Sequence, residues 1–304
     1  MRIAITGGAG FIGSRIAKRL HENGHDVNVI DHLQRAKQEG IEMLRNIGVD
    51  ITREDVTSPN LAESFKSMKP DAVVHAAALI SVKEAEEKPE LYDRVNSGGT
   101  LNALLAARAA GAGHFVYMGS SAVYGNPRYL PIDEKHPTNP ISIYGASKLN
   151  GEIYANYFRA QGMKVFIPRL FNVYGTGQNP EYSGVITIFK RKIEEGKNLV
   201  VYGDGRQTRD FVHVNDVAEI VCKGIESEVS ETVNIGTGKP VTINEIAEKM
   251  IELSGANLSV EHAKALPSDV LESVADTKLM ERLGFKPRVS LEIGLGEFFK
   301  RQEN

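Results

Sequence analysis

The turn between residues 7 and 13 constrains this 304-residue chain more than any other feature. The strand-like run Arg2–Thr6 leads into Gly-Gly-Ala-Gly-Phe-Ile-Gly, and a helical pattern follows. Glycines let the backbone turn sharply and approach a phosphate group, which sits against the free N–H groups of a helix N-terminus. The G-x-x-G-x-x-G spacing is one residue longer at its first interval than the standard dinucleotide turn. We predict a dinucleotide site that includes Gly7, Gly10, Phe11, Ile12 and Gly13.

An acidic residue follows about twenty positions later, as in dinucleotide-binding folds. Asp31 ends the predicted second strand, and its carboxylate can accept hydrogen bonds from both ribose hydroxyls. A carboxylate there would repel a 2′-phosphate, which favours NAD over NADP. We assign Asp31 and the adjacent His32 to the cofactor. Two alternatives stay open: Asp31 could be only a turn residue, and Arg35 is near enough in sequence to admit NADP.

Short apolar runs alternate with helical patterns in the first half of the chain. Strands joined by helices imply right-handed crossovers and a parallel sheet covered on both faces. We predict an α/β fold, with a Rossmann-like doubly wound parallel sheet over residues 1–174 and a smaller C-terminal α/β domain over residues 175–304. The chain is expected to return to the first domain at about 210–238. The predicted strands are 3–6, 26–30, 72–76, 115–118, 165–170, 199–202 and 232–235, and the predicted helices are 14–23, 92–110, 144–161, 185–195, 214–225, 244–254 and 291–300.

Charge and composition exclude several classes of partner. The 36 basic and 39 acidic residues are scattered and give a net charge of −3, so no footprint for nucleic acid or an anionic membrane is present. No apolar run is long enough to span a bilayer, and the first strand leaves no room for a leader peptide. The single cysteine, Cys222, fits a reducing compartment. We expect a cytoplasmic protein without nucleic-acid or membrane partners, and we predict no metal site.

Tyr144 and Lys148 lie four residues apart in a predicted helix, so their side chains share one face. Free tyrosine, with a pKa of about 10, is a poor base, but a nearby ammonium and a cationic nicotinamide would each favour its phenolate. Ser120 follows a predicted strand and therefore lies at a carboxyl end of the sheet, where sites form. Alone, the Tyr–Lys spacing is typical of a surface pair. Downstream of a nucleotide turn, it indicates that Ser120, Tyr144 and Lys148 carry out hydride chemistry.

Together these residues resemble the extended short-chain dehydrogenase/reductase family, and within it the nucleotide-sugar 4-epimerases typified by UDP-glucose 4-epimerase. The likeness covers nearly the whole chain. It is carried by segments 6–13 (TGGAGFIG), 55–56 (DV), 75–78 (HAAA), Asn96, 120–125 (SSAVYG), 144–148 (YGASK), 169–175 (RLFNVYG), 209–214 (RDFVHV) and 234–238 (NIGTG).

The resemblance implies further site residues and a homodimer formed through helices such as 92–110 and 144–161. Asn172 and Arg209 would hold a diphosphate, since a guanidinium suits phosphate oxygens, and Tyr202 would stack on the base. Two alternatives stay open: Tyr202 could be a core residue, and Arg209 could pair with Asp204 or Asp210. The implied cofactor residues are Asp55, Val56, Ala76, Ala77, Ala78, Asn96, Tyr144, Lys148 and Phe171; the implied substrate residues are Ser120, Tyr144, Asn172, Val185, Ile186, Tyr202, Arg209 and Ser273.

Four positions bear on the expected reaction. Dehydratases and decarboxylases of the family tend to carry an acid where this chain has Ala122, and an alanine cannot transfer protons. The small Ser273 suggests room for a 2-acetamido sugar. Two residues depart from the family pattern: Leu266 stands where an arginine usually grips the diphosphate, and Ile80 stands where some epimerases have a lysine.

The sequence therefore predicts an NAD-dependent UDP-sugar 4-epimerase for the glucose/galactose pair, with the N-acetylhexosamine pair as a further substrate. Hydride would leave C4 of the sugar and return to its other face. One alternative is a reductase of a 4-keto nucleotide sugar, which would use the same three residues and release oxidised cofactor. Another is a non-catalytic dinucleotide sensor, which would have little need for them.

Overall fold

A computed structural model describes residues 1–182, 184–265 and 270–300, without the side chain of Tyr182. Leu266, one of the two departures from the family pattern, lies outside the described residues. The strands are β1 (Arg2–Thr6), β2 (Asp26–Ile30), β3 (Asp50–Thr52), β4 (Ala72–His75), β5 (His114–Tyr117), β6 (Gly119–Ser120), β7 (Lys164–Leu170), β8 (Asn172–Tyr174), β9 (Leu199–Tyr202), β10 (Thr208–His213), β11 (Thr232–Ile235), β12 (Pro240–Thr242) and β13 (Val260–Ala263). The α-helices are α1 (Phe11–Glu22), α2 (Gln38–Asn46), α3 (Leu61–Met68), α4 (Val82–Glu87), α5 (Pro89–Tyr92), α6 (Gly99–Ala109), α7 (Ile143–Ala160), α8 (Val185–Glu194), α9 (Val214–Glu226), α10 (Ile243–Ser254), α11 (Lys278–Arg282) and α12 (Leu291–Gly296).

The large sheet has the strand order β11-β7-β5-β4-β1-β2-β3, with β6 beside β7. Strands β3, β2, β1, β4, β5 and β7 run parallel. The chain order reverses between β1 and β4, which are neighbours in the sheet. In open parallel sheets, ligands bind at the carboxyl ends of the strands at such a reversal. The predicted Rossmann-like sheet is confirmed, and its topology points to the residues that follow β1 and β4.

Helices cover both faces of this sheet. Successive side chains of a strand point in opposite directions, so each strand packs against helices on both faces. Val165 and Ile167 of β7 belong to an apolar cluster with residues of α3, α6 and α7. Phe166, between them, packs on the other face, where Gly224 of α9 lies so close that a methyl group would overlap the Phe166 ring. The buried strands are therefore apolar on both sides, as a doubly covered sheet requires.

The chain divides into two compact units. The first comprises Met1–Gly125, Thr138–Leu170 and Val217–Val233. The second comprises Asn126–Pro137, Phe171–Asp216 and the described part of Asn234–Asn304. In the second unit, β10 pairs with β8 in parallel and with β12 in antiparallel, and β13 pairs with β9 in parallel. An apolar cluster of residues from α8, α10 and α12 and from these strands forms its core.

Two predicted helices differ from the structure. The helix predicted over 92–110 is broken by a π-helical segment, Asp93–Gly98, between α5 and α6. The helix predicted over 291–300 ends at Gly296. None of the described helices is long and apolar enough to cross a bilayer.

Candidate active site

The glycine turn after β1 is shaped for close approach of a ligand backbone. Gly7 has φ of 67°, a left-handed conformation that favours glycine, and its N–H donates to the Ile30 carbonyl at 2.8 Å. A methyl group at Gly13 would overlap the Gly7 carbonyl oxygen and lie 2.8 Å from the Gly8 Cα. Helix α1 then begins with no side-chain cap and no acid in its first turn. The first N–H groups of α1 are therefore suited to a pyrophosphate, so this turn fits a dinucleotide.

Asp31 fixes the end of β2 against this turn. Its carboxylate accepts from the Ala9 amide at 3.1 Å and from the Leu33 amide at 2.8 Å, and the residue is buried. The side chain of His32 lies 3.6 Å from the same carboxylate, and the hydrogen bond with Asp31 raises the His32 pKa. Among the other predicted cofactor residues, Val56 is buried and Asp55 accepts from the amide and hydroxyl of Thr57.

Arg35 is the residue that left NADP as an alternative cofactor, and it forms an ion pair with a carboxylate. Its two terminal nitrogens donate to the two oxygens of Glu84 at 2.8 and 2.9 Å. This bidentate pair, together with Lys88 and Tyr92, lowers the Glu84 pKa to about 2. The positive charge of Arg35 is thus compensated within the protein, which weakens the argument for a 2′-phosphate contact.

The residues after β4 lie beside the glycine turn. The Ala76 amide donates to the Thr6 carbonyl at 2.9 Å, and a methyl group at Gly7 would lie 2.5 Å from the Ala77 nitrogen. Asn96, from the π-helical segment, bonds both backbone polar atoms of Leu79 and the Ser147 hydroxyl. Asn96 therefore anchors the loop after Ala78 to α7. The π-helical segment, which often marks functional positions in helices, accounts for this placement.

Ser120 and Tyr144 come together at the start of α7. The Ser142 hydroxyl caps this helix by accepting from the Gly145 amide at 3.0 Å. A methyl group at Gly145 would lie 2.7 Å from the Ala122 carbonyl oxygen, so the first turn packs closely on the segment after Ser120. Burial of the Tyr144 phenol raises its pKa above 10, and a hydrogen bond with Ser120 acts in the opposite direction. The lowering of this pKa by Lys148 and the nicotinamide remains a prediction.

Lys148 lies one turn further along α7 and is only 4% exposed. Its ammonium nitrogen sits 4.3 Å from the centre of the Tyr117 ring. Burial lowers the Lys148 pKa to about 7, and the negative charge of Glu152 opposes that shift. A lysine with such a lowered pKa can gain or lose its proton near neutral pH. Shifted pKa values of this kind are typical of functional sites.

The predicted substrate residues lie in the second unit, apart from Ser120 and Tyr144. Tyr202 ends β9 and is 48% exposed, so the alternative of a core residue is wrong. Ile186 is buried in the core of that unit, and Val185 packs against the same core. The side-chain amide of Asn172 donates through Nδ2 to the Asp210 backbone carbonyl at 3.3 Å. Ser273 is partly buried, next to the buried Val274.

Arg209 lies on β10 and donates to the Thr208 carbonyl at 2.8 Å. The Asp210 carboxylate, proposed above as one alternative partner, accepts from the amides of Thr237, Gly238 and Ala275. That carboxylate therefore joins β10 to two other backbone segments, at residues 237–238 and at Ala275. Phe171 is buried, and its amide donates to the Ile235 carbonyl at 3.0 Å.

Comparison with known proteins decides the family. A family model described as the NAD dependent epimerase/dehydratase family matches residues 3–236. The chain belongs to this family.

Members of the epimerase/dehydratase family with several activities resemble the chain over its whole length. A UDP-glucose 4-epimerase of Mycolicibacterium smegmatis is 34% identical, covering 99% of each chain. A UDP-N-acetyl-α-D-glucosaminuronate decarboxylase of Bacillus cytotoxicus is 33% identical, covering 100% of this chain and 99% of the other. The crystal structure of a Thermotoga maritima UDP-glucose 4-epimerase with UDP-glucose superposes with a TM-score of 0.93 at 32% identity, covering 98% and 97%. These comparisons confirm the family resemblance and NAD as the family's cofactor, and they leave several reactions of nucleotide sugars to be distinguished.

The sequence patterns missed two residues beside the Tyr–Lys pair. Glu152 and Arg169 form a buried ion pair, in which Arg169 Nε donates to Glu152 Oε2 at 3.0 Å. The sequence offered one signal for Glu152: it lies four residues after Lys148, which places the two side chains on the same face of a helix. Its partner on β7 could be identified only from the folded structure.

Proposed function

We propose that this protein is an NAD-dependent nucleotide-sugar 4-epimerase that interconverts UDP-glucose and UDP-galactose, and also the corresponding N-acetylhexosamine pair. The observation that carries the proposal is the assembly of Ser120, Tyr144 and Lys148 around the start of α7, with the backbone carbonyl of Ala122 packed against the same turn. The three residues can move a proton at a sugar hydroxyl. An alanine at 122 supplies none of the additional acid chemistry that eliminating water needs.

Side chains of the protein itself carry out the proton-transfer steps. Tyr144 accepts the proton of the sugar 4-hydroxyl and later returns it, while Ser120 orients that oxygen by a hydrogen bond. The Lys148 ammonium stabilises the Tyr144 phenolate and binds the nicotinamide ribose. NAD, held by the glycine turn at 7–13 and Asp31, would provide the hydride acceptor and donor for C4. Because the oxidation is reversed in each cycle, net consumption of cofactor is not expected.

Each unit is proposed to bind a different ligand: the first binds NAD, and the second binds the nucleotide sugar. The first unit holds NAD through the turn at 7–13, Asp31 and the residues after β4. In the second unit, Arg209 and Asn172 are proposed to bind the diphosphate, and the exposed ring of Tyr202 offers a face for the uracil base. The small Ser273 is proposed to leave room for a 2-acetamido group.

The cellular location of the protein is proposed to be the cytoplasm, since the single cysteine fits a reducing compartment.

A panel of nucleotide sugars tests the proposed reaction against the others of the family. We expect the purified protein to convert UDP-glucose and UDP-N-acetylglucosamine to their galacto epimers, observed through the anomeric proton signals by NMR. UDP-glucuronic acid should lose no carbon dioxide, and dTDP-glucose should yield no 4-keto-6-deoxy sugar. Decarboxylation or dehydration as the main reaction would overturn the proposal, as would stoichiometric use of NADH or NADPH with a 4-keto sugar.

A homodimer is also proposed, through α6 and α7. These helices carry large apolar side chains that are 43–58% exposed: Leu105, Ile153 and Tyr157. Ile153→Lys is expected to shift the protein from dimer to monomer in sedimentation equilibrium, because a charge would have to be buried in the interface. The matched control is Ile293→Lys on α12, where the isoleucine is 59% exposed. Equal sedimentation of the Ile153→Lys variant and the parent would contradict this interface.

A further inference from the structure

Three functional groups are stacked along one face of α7. Tyr144, Lys148 and Glu152 follow each other at intervals of four residues, which places neighbouring Cβ atoms about 5–6 Å apart. Lys148 and Glu152 are 4% and 3% exposed. Charged groups that are so well enclosed must be compensated from within the protein, because water cannot solvate them. The proposed function uses Tyr144 and Lys148 and leaves Glu152 without a role.

The groups around Lys148 show where the compensating charge comes from. On β5, the Tyr117 ring lies below the ammonium at 4.3 Å, and the Tyr117 hydroxyl donates to the Lys148 carbonyl at 2.8 Å. On β4, burial and then the charge of Lys148 lower the His75 pKa to about 3, so His75 is neutral. Burial raises the pKa of the Tyr117 phenol, as it does for Tyr144. Among these neighbours, Glu152 is the carboxylate, and its charge raises the Lys148 pKa against the effect of burial.

Arg169 holds this carboxylate in place from β7. Its Nε donates to Glu152 Oε2 at 3.0 Å, and its Nη2 donates to Oε1. Its remaining nitrogen, Nη1, donates to the Tyr124 hydroxyl at 2.7 Å, and the guanidinium lies 4.8 Å from the Tyr124 ring centre. On α7 itself, burial lowers the Arg159 pKa, and the charge of Glu152 opposes that shift. The guanidinium is thereby fixed at three points, and such bidentate geometry restricts the carboxylate to one orientation.

We propose that Glu152 is a positioning residue for the Tyr144–Lys148 pair: its carboxylate, oriented by Arg169, supplies the negative charge that keeps the Lys148 ammonium in this buried place. The proposal rests on the proposed function in so far as that ammonium assists Tyr144. Arg169 and Tyr124 act through Glu152 and touch neither the sugar nor the cofactor in this account.

The direction of the effect follows from the two opposing influences on Lys148. Burial lowers its pKa to about 7, and Glu152 raises it. Removing the Glu152 charge therefore lets the Lys148 pKa fall further. The ammonium, which is present below that pKa, would then be lost at a lower pH, and the high-pH limb of kcat/KM would move to lower pH.

The titration of Lys148 can be measured directly by NMR in the NAD-bound protein labelled with ¹³C at lysine Cε. In Glu152→Gln, which keeps the shape of the side chain, the midpoint is expected to fall by about one pH unit or more. The matched control is Glu84→Gln, which removes another arginine-paired carboxylate from the same unit. Its Lys148 midpoint should equal that of the parent. An unchanged midpoint in folded Glu152→Gln would overturn the proposal.

A second variant covers the case in which Glu152→Gln does not fold. Glu152→Asp keeps the charge but draws it back from Lys148 by one methylene group, so we expect a smaller fall in the midpoint. A folded Glu152→Asp protein that titrates like the parent would contradict the proposal. Because the titration needs no sugar, a shifted midpoint in a protein without epimerase activity would support this role and reject the proposed reaction instead.

Discussion

Tyr144→Phe is expected to lower kcat by about 10²–10⁴-fold, the range over which a positioned acid or base contributes. The substitution removes the hydroxyl that exchanges a proton with the sugar and keeps the ring that fills the start of α7. Binding of NAD and of UDP, measured by calorimetry, should stay close to that of the parent. A loss confined to kcat would assign the hydroxyl to the chemical step.

A matched control lies on the same helix. Tyr157 is 58% exposed, and its hydroxyl is outside the proposed site. Tyr157→Phe keeps the ring that the proposed dimer interface would bury and removes only this hydroxyl, so kcat and KM should stay within about twofold of the parent. Near-normal turnover of Tyr144→Phe would contradict the proposed proton transfer, whatever the control shows.

Gly13→Ala is expected to abolish NAD binding and to lower the thermal midpoint of unfolding. The added methyl group would overlap the Gly7 carbonyl oxygen and press on the Gly8 Cα at 2.8 Å, and both are backbone atoms that cannot rotate away. Overpacking of this kind costs about 1–3 kcal/mol of stability, and here it also deforms the turn that approaches the pyrophosphate. Thermal unfolding with and without NAD measures both effects.

The control for this substitution is Gly113→Ala. At Gly113 a methyl group would meet no atom within 4 Å. That variant should unfold like the parent and should still be stabilised by added NAD, because a ligand that binds the native state raises its stability. A Gly13→Ala protein that NAD stabilises as strongly as the parent would contradict the assignment of the turn.

Local signals were enough to predict the part of the fold that is proposed to hold the cofactor. The run from β1 through the glycine turn into α1 combines a strand, a turn and a helix between Arg2 and Glu22. Helix α7 carries the Tyr144–Lys148 spacing within its first turns. Helices α2 and α3 and strand β3, which lie between these segments, were not predicted. Strand β3 has only three residues, which is too short to show a pattern.

Features that depend on distant contacts could not be predicted. The break in the helix predicted over 92–110 places Asn96 where it can bond Leu79 and Ser147, and neither partner is visible in local periodicity. The segment Asn126–Pro137 joins the second unit through contacts such as the Ile132 amide with the Val274 carbonyl, which lie far apart in sequence. The exposure of Tyr202 and the burial of Ile186 likewise follow from packing within the second unit.

The fate of the hydrogen on C4 of the sugar tests the central claim most directly. The protein, without added cofactor, would be incubated in ordinary water with UDP-glucose that carries deuterium at C4, and the product would be examined by NMR and mass spectrometry. Transient oxidation at C4 predicts UDP-galactose that retains the deuterium at C4, because the same hydride is removed and returned. Loss of the deuterium to water, or no galacto product even after NAD is added, would contradict the account.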